Sequence, residues 1–237
     1  MSYADRILIR IKKDGICKTV VYVIYAFLYC FRECIYELYF DYCFSGKLLR
    51  GNCRSAYKHL GANDVYHTKY SVMPLIFGFV HMNRRDVLVD VGCGKGRVIN
   101  YLLSRKLKNK IIGLELDPKV AVCTRQHLSR WKNVTILTGD AIAKLPLEGT
   151  IFYFYNPFSE EKVREFELAL SQRFYNKPVK IIYYNPRSLK VFQNDNWAIN
   201  YINFEKDLGI KCWGRINKYH DLAIITHKTK DSQKHYN

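Results

Sequence analysis

Val87-Leu88-Val89-Asp90-Val91-Gly92-Cys93-Gly94-Lys95-Gly96-Arg97-Val98 is the stretch from which the rest of this 237-residue chain is read. Val87 to Val91 is a short apolar run holding one acid, the pattern of a buried strand. Three glycines at alternate positions follow at once. Val98, Ile99, Leu102 and Leu103 then recur at helical spacing. Strand, glycine turn and helix together bring a ligand to the carboxyl end of a parallel sheet. Glycine can take positive φ and lets a ligand approach the backbone closely. The helix start beyond offers free N–H groups.

Two common glycine-rich turns do not fit. A dinucleotide fold wants G-x-G-x-x-G, but here the third glycine comes one residue early and Arg97 occupies its place. A phosphate-binding loop wants Gly-Lys followed by a hydroxyl, and Gly94-Lys95 is followed by Gly96. An acid followed by G-x-G-x-G resembles the first motif of the class I S-adenosylmethionine (SAM) methyltransferases. The alternative for the motif alone is a tight turn that packs helix on strand.

Further elements extend the pattern. Lys110 to Glu115 reads as a second strand ending in a carboxylate nineteen residues after Gly96. Nucleotide-binding βαβ units place an acid about 20 residues beyond their glycines, where it accepts hydrogen bonds from ribose hydroxyls. Asp117 is the rival acid. It directly precedes Pro118, and Asp before a Pro at a helix start is an N-cap. Glu115 is therefore assigned to the ribose and Asp117 to the cap. Val134 to Leu137 is a third strand, ending at Thr138-Gly139-Asp140-Ala141. This resembles the family's G-D-A segment, whose acid takes the adenine amino group; a helix cap is the compatible alternative for Asp140.

Thr150-Ile151-Phe152-Tyr153-Phe154-Tyr155-Asn156-Pro157-Phe158 reads as a fourth strand with Asn156-Pro157-Phe158 at its end. Many amine-methylating members of the family carry Asn or Asp, Pro, Pro and an aromatic there, and this chain is one proline short. An amide oxygen can orient an acceptor nitrogen, which is catalysis by positioning, and an aromatic can flank a flat or cationic substrate. A strand-ending turn is the other reading of Asn156. Val65-Tyr66-His67-Thr68-Lys69-Tyr70 before the first strand and Asn156-Pro157-Phe158 after the fourth give a looser resemblance to the seven-stranded histone-lysine methyltransferases and their bacterial look-alikes. That resemblance implies that Thr68 and Tyr70 line the cofactor or acceptor channel; otherwise Tyr66 and Tyr70 anchor a helix to the sheet edge.

The expected architecture is α/β: a Rossmann-like, doubly wound, mostly parallel sheet with an N-terminal helical extension. Residues 1–64 form the extension, 65–227 the methyltransferase domain and 228–237 a polar tail. Helices are expected over Tyr66–His81, after its first few residues, and Ser159–Tyr175. Later strands are expected over Val179–Tyr184, Trp197–Phe204 and Asp221–Thr226, with an excursion over Ile210–Ile216. A closing antiparallel strand is implied by the resemblance alone.

Composition bounds the function. The chain is 49% hydrophobic and 25% charged, as in ordinary globular proteins, with 38 Lys and Arg against 21 Asp and Glu, a formal charge of +17. That excess favours a polyanionic partner, nucleic acid or an anionic membrane surface; a protein substrate is also open. The eight cysteines form no C-x-x-C pair and the seven histidines no H-E-x-x-H, so no metal is expected. The cysteines are scattered, and Cys30 and Cys34 sit one helical turn apart in an apolar run, where cysteine behaves as a small hydrophobe; a reducing, cytoplasmic setting without structural disulfides is expected. No G-x-S-x-G supports a hydrolase.

Ile16 to Phe44 stands apart. Thr19 to Phe31 is thirteen residues without a charge, interrupted by Arg32-Glu33. A span needs about 20, so a span is not expected. As a helix the segment has an aliphatic side and a side with Lys18, Tyr22, Tyr25, Tyr29 and Glu33. It suits a helix lying in a bilayer interface, making the protein peripherally membrane-associated, or else a helix packed on the domain or on a second subunit. Deleting residues 1–44 is expected to spare SAM binding, because no cofactor motif lies there.

The resemblance implies a SAM-dependent methyltransferase acting on a nitrogen of a protein side chain or nucleic acid. Around the cofactor it implies Asp90, Gly92, Cys93, Gly94 and Gly96 from the first motif, Glu115 and Leu116 from the second, and Asp140 and Ala141 from the third. Thr68, Tyr70 and Asn156 complete that set, with Asp90 bracing the glycine loop. Asn156 and Phe158 are implied at the acceptor. A non-catalytic module of the same fold on RNA or an anionic membrane is the competing class.

Overall fold

The computed structural model of the chain describes residues 3–51, 56–63, 66–210 and 220–228. The polar tail beyond residue 228, Val65 and all but the first residue of the Ile210–Ile216 excursion lie outside them. Seven strands form one sheet: β1 Leu88–Val91, β2 Ile111–Glu115, β3 Val134–Thr138, β4 Ile151–Phe154, β5 Lys180–Tyr184, β6 Trp197–Ile202 and β7 Leu222–His227. Their order is β3-β2-β1-β4-β5-β7-β6. β1 runs parallel to β2 and β4, β2 to β3 and β4 to β5. β7 inserts antiparallel between β5 and β6. This is the doubly wound sheet expected from the sequence.

β1, β2 and β4 are buried from end to end, which is why they read as apolar runs. Side chains still alternate between two layers. Ile151 and Tyr153 of β4 face one cluster, and Phe152 and Phe154 the other. The first layer holds helices α3 (Met73–Gly78), α4 (Arg97–Ser104) and α5 (Pro118–Leu128); the second holds α6 (Glu160–Arg173). α3 is shorter than expected: Pro74 stands in its first turn and the chain leaves the helix at Gly78. Asp117 caps α5 by accepting from the N–H groups of Lys119 and Val120, and Ser159 caps α6.

Helices α1 (Tyr3–Asp14) and α2 (Ile16–Ser45) form the N-terminal extension. The boundary expected at residue 64 does not separate two packed units. The second half of α2 belongs to the core: Phe40 stacks on Tyr70 at 4.5 Å between ring centroids, and Phe44 stacks on Trp131 at 5.8 Å. A buried polar network joins the same surfaces. Asp41 is fully buried and accepts from the Tyr70 hydroxyl at 2.6 Å and the Leu49 N–H at 2.9 Å. Arg97, the first residue of α4, reaches Asp41 at 3.3 Å and Glu37 at 2.9 Å. Asn100 donates to the Tyr70 hydroxyl and accepts from Ser45.

This network gives residues 1–44 a structural part that the expectation of spared SAM binding on their deletion did not include. Their loss strips Arg97 of both carboxylate partners beside the glycine loop. Breaking a buried pair from one side costs about 3–5 kcal/mol. Asp41→Ala should therefore lower the unfolding free energy by about that amount in urea titration, while a deletion ending at Asp14 leaves it nearly unchanged. A loss below about 1 kcal/mol would mean that the network contributes only as an exposed pair does.

Candidate cofactor site

One cleft opens at the carboxyl ends of β1, β2 and β4. β1 has β2 on one side and β4 on the other, so successive connections leave it in opposite directions. Open α/β sheets bind ligands at such a switch point. The glycine turn fits its neighbours tightly. Gly92 has φ +74°, and a Cβ there would stand 2.8 Å from that of Pro157, so only glycine allows the loops after β1 and β4 to touch. Gly113 on β2 leaves room for the Cys93 sulfur, which a Cβ would meet at 2.7 Å. Cys93 is buried, and burial pushes its thiol up, so it serves as a small apolar wall.

Four acidic residues line the cleft, Asp90, Glu115, Asp140 and the α5 cap Asp117. Glu115 accepts from the Gly94 N–H at 2.8 Å and from the Asp117 N–H at 2.9 Å. Burial raises its pKa, and these two N–H groups oppose the rise. Asp140 accepts from the N–H groups of Ile142 and Ala143 and meets the Lys162 ammonium at 3.1 Å. Partial burial pushes Asp140 up, but these partners outweigh it and hold the carboxyl below its usual value. Asp90 is 2% exposed, and its Oδ2 has no hydrogen-bond partner among the described residues. Burial, with Glu115 nearby, pushes its pKa up to about 8. The expected roles are thus exchanged in part: the carboxylate that braces the glycine loop is Glu115, and Asp90 keeps an unused acceptor in the cleft.

Thr68, Leu116, Ala141 and Phe158 also line the cleft, together with Gly92, Cys93 and Gly94. Thr68 shares a 2.7 Å hydrogen bond with the buried Tyr153 hydroxyl. Three residues placed at the site by resemblance lie elsewhere. Tyr70 is turned into the α2 interface, where its hydroxyl is held by Asp41 and Asn100. Gly96 is a packing glycine: with φ +85°, a Cβ would press on Leu128 and Thr124 of α5. Asn156 has φ +45°, which an Asn tolerates. Its amide donates to the Asn185 carbonyl at 2.6 Å and accepts from the Tyr183 hydroxyl at 2.9 Å. Both ends of that amide are therefore used in joining the loops after β4 and β5, and Asn156 is not among the lining residues. The Asn185 carbonyl serves the same joint.

A cover over the cleft was missed. Residues 56–63 pair with the loop after β4 through an Ala62–Phe158 bridge. Asn63 donates its side-chain amide to the carbonyls of Asn156 and Phe158, and its backbone N–H to that of Pro157. Tyr57, Leu60, Tyr66 and His67 thereby become walls. His67 is held neutral, its pKa lowered to about 4 by burial and by the nearby Arg97. Its Nε2 contacts the Gly51 carbonyl at 2.9 Å, so Nε2 carries the hydrogen. No periodic pattern in 56–67 marks it as a wall.

Residues 88–166 match the family described as a methyltransferase domain. This segment of the chain is thus a methyltransferase domain, similar to the class I SAM-dependent methyltransferases. Among curated relatives, a tRNA (guanine-N(7)-)-methyltransferase of Helicobacter pylori (strain ATCC 700392 / 26695) is 26% identical over 148 residues, 56% of this chain and 36% of the relative. Ribosomal RNA small subunit methyltransferase A of Mycoplasma genitalium is 31% identical over 138 residues, 51% of this chain and 50% of the relative. The chain thus spans half or less of the length of these methyltransferases. Among solved structures, the mitomycin 7-O-methyltransferase aligns with a TM-score of 0.51 at 12% identity, covering 67% of this chain and 54% of that one. Human N-acetylserotonin methyltransferase aligns with a TM-score of 0.51 at 11% identity, covering 67% and 52%. These two likenesses concern the fold alone.

The cleft fits the family's cofactor. The unpartnered Asp90 oxygen suits a cationic ammonium, and Gly92 adds no side chain where the loop meets Pro157. Asp90 also sets a pH dependence. Its pKa is raised on folding from 3.8 to about 8. Its contribution to stability is therefore complete below pH 4 and declines as pH rises to about 8. Asp90→Asn removes the ionisable group. The variant should gain of order 2–4 kcal/mol relative to the ligand-free parent between pH 5 and pH 8 in urea unfolding. A stability difference that stays constant over that range would mean that Asp90 is already ionised at pH 5.

Proposed function

We propose that the protein transfers the methyl group of SAM to a nitrogen of an RNA base. The observation that carries the methyl-transfer reading is the convergence of Asp90, Glu115 and Asp140 on one cleft at the switch point of the sheet. When bound, SAM supplies an electrophilic methyl group on a sulfonium. Asp90 accepts from its ammonium, and Glu115 accepts from the ribose through lone pairs that the two backbone N–H groups leave free. Asp140 accepts from the adenine amino group. The protein needs only to hold donor and acceptor in line and to exclude water, so catalysis rests on positioning.

The RNA acceptor is supported by three observations. The curated relatives quoted above are named as tRNA and rRNA methyltransferases. The chain carries a formal charge of +17, which favours a phosphate backbone. Tyr66, Tyr155 and Phe158 present aromatic rings to the cleft, and an unstacked base binds by stacking on such rings. Phe158 itself rests on Phe166 at 5.7 Å between centroids, which fixes its ring. Asn156 has no part in this reading. The base is oriented by the aromatic walls, and its displaced proton goes to water.

The test is incubation of the protein and methyl-labelled SAM with separated RNA, protein and lipid fractions of a cell extract. Label is expected in the RNA fraction, in a ribonuclease-sensitive form. Tyr66→Ala should weaken RNA binding about 5- to 150-fold, the equivalent of about 1–3 kcal/mol for one stacked base, and spare SAM affinity. Label in protein or lipid would overturn the RNA acceptor. SAM binding without transfer to any fraction would favour a non-catalytic module.

A further inference from the structure

α2 presents its aliphatic side to solvent along its whole length. Ile16, Val20, Val21, Ile24, Phe27, Leu28, Phe31, Ile35, Leu38, Tyr39 and Tyr42 are all exposed, Phe27 by 68%. At about 100° per residue they fill a sector about 140° wide. No charged residue of α2 falls inside it. Leu8 and Ile9 of α1 are exposed too. The other side of α2 is committed to the protein: Thr19, Ala26, Tyr29 and Asp41 are buried, and Glu37 and Asp41 hold Arg97. An apolar strip of this length on an otherwise basic protein is an interaction surface.

We propose that this strip lies in the plane of an anionic lipid bilayer, with α2 parallel to the surface. Charge selects the occupant. Lys12, Lys13 and Lys18 are exposed at one end of the strip, Arg32 beside its middle and Lys47 beyond its other end. Long basic side chains beside an apolar strip extend their charges to lipid headgroups while the aliphatic residues enter the acyl boundary. A second copy of the chain would bring another formal +17 against the first. A perpendicular span is disfavoured although α2 is long and apolar enough to cross. A hydrocarbon core of about 30 Å takes about 20 residues of helix, and every such window of α2 contains Arg32 and Glu33, with the network of Glu37, Asp41 and Arg97 close behind. α2 lying flat leaves that network on the protein side.

The surface is independent of SAM and of any acceptor, so its test does not depend on the methyl-transfer reading. The full-length protein is sedimented with vesicles of phosphatidylcholine alone and of phosphatidylcholine with phosphatidylglycerol, without SAM. Binding is expected on the anionic vesicles and should fall by about tenfold or more on the neutral ones or in high salt. The double variant Phe27→Glu, Phe31→Glu changes only exposed side chains and should keep the parent's circular dichroism and melting while losing vesicle binding. Lys12→Glu with Lys13→Glu should weaken binding to the anionic vesicles and leave folding intact. Equal sedimentation of the parent and the Phe27→Glu, Phe31→Glu variant would overturn the proposal. So would a dimer, disrupted by that variant, that binds no vesicles. Resistance to carbonate extraction after expression in cells would overturn the in-plane placement in favour of a span.

Discussion

The carboxylate of Glu115 holds two loops at once. One oxygen accepts from Gly94 in the turn after β1, and the other from Asp117 at the start of α5. Both loops form walls of the same cleft, so one buried acid sets their separation. Its position follows from register: β2 pairs with β1 so that Gly113 stands beside Asp90 and Leu114 beside Val91. The Leu114 carbonyl then takes the N–H groups of Gly92 and Cys93. The turn is thus fastened to the end of β2 by backbone and side chain together. A ligand meets a preorganised surface, and little of its binding free energy is spent on ordering the loop.

The same turn is supported from behind. Arg97 begins α4 immediately after Gly96 and is tied to Glu37 and Asp41 of α2. Thr124 of α5 donates to the Gly94 carbonyl at 2.7 Å. α2 therefore has two faces with different tasks. Its inward face anchors the helix that follows the glycine loop, and its outward aliphatic face remains free for a surface outside the protein. This division accounts for a long apolar helix that is mostly exposed yet contributes a fully buried aspartate.

Local chemistry was legible in the sequence. The glycine turn after a buried strand, the Asp117 cap before Pro118 and the strand ends at Glu115 and Asp140 each depend on a few consecutive residues. Asn156 was misread because its task depends on the loop after β5, some thirty residues away, and on a positive φ that no residue pattern declares. Tyr70 was misread because its partner Asp41 lies on α2. The cover at 56–63 has no periodicity, and its role comes from pairing with Pro157 and Phe158. The two sides of α2 were visible, but their orientation was not. Hydrophobicity alone would bury the aliphatic side, whereas the buried charge network with Arg97 turns the tyrosine and carboxylate side inward.

A co-crystal structure with S-adenosylhomocysteine would show whether the cleft at the carboxyl ends of β1, β2 and β4 is the SAM site. Density is expected in that cleft, with ribose hydroxyls on Glu115, the adenine edge at Asp140 and the amino-acid portion beside Gly92 and Asp90. Density with the ribose on Asp117, or a ligand bound outside this cleft, would contradict it.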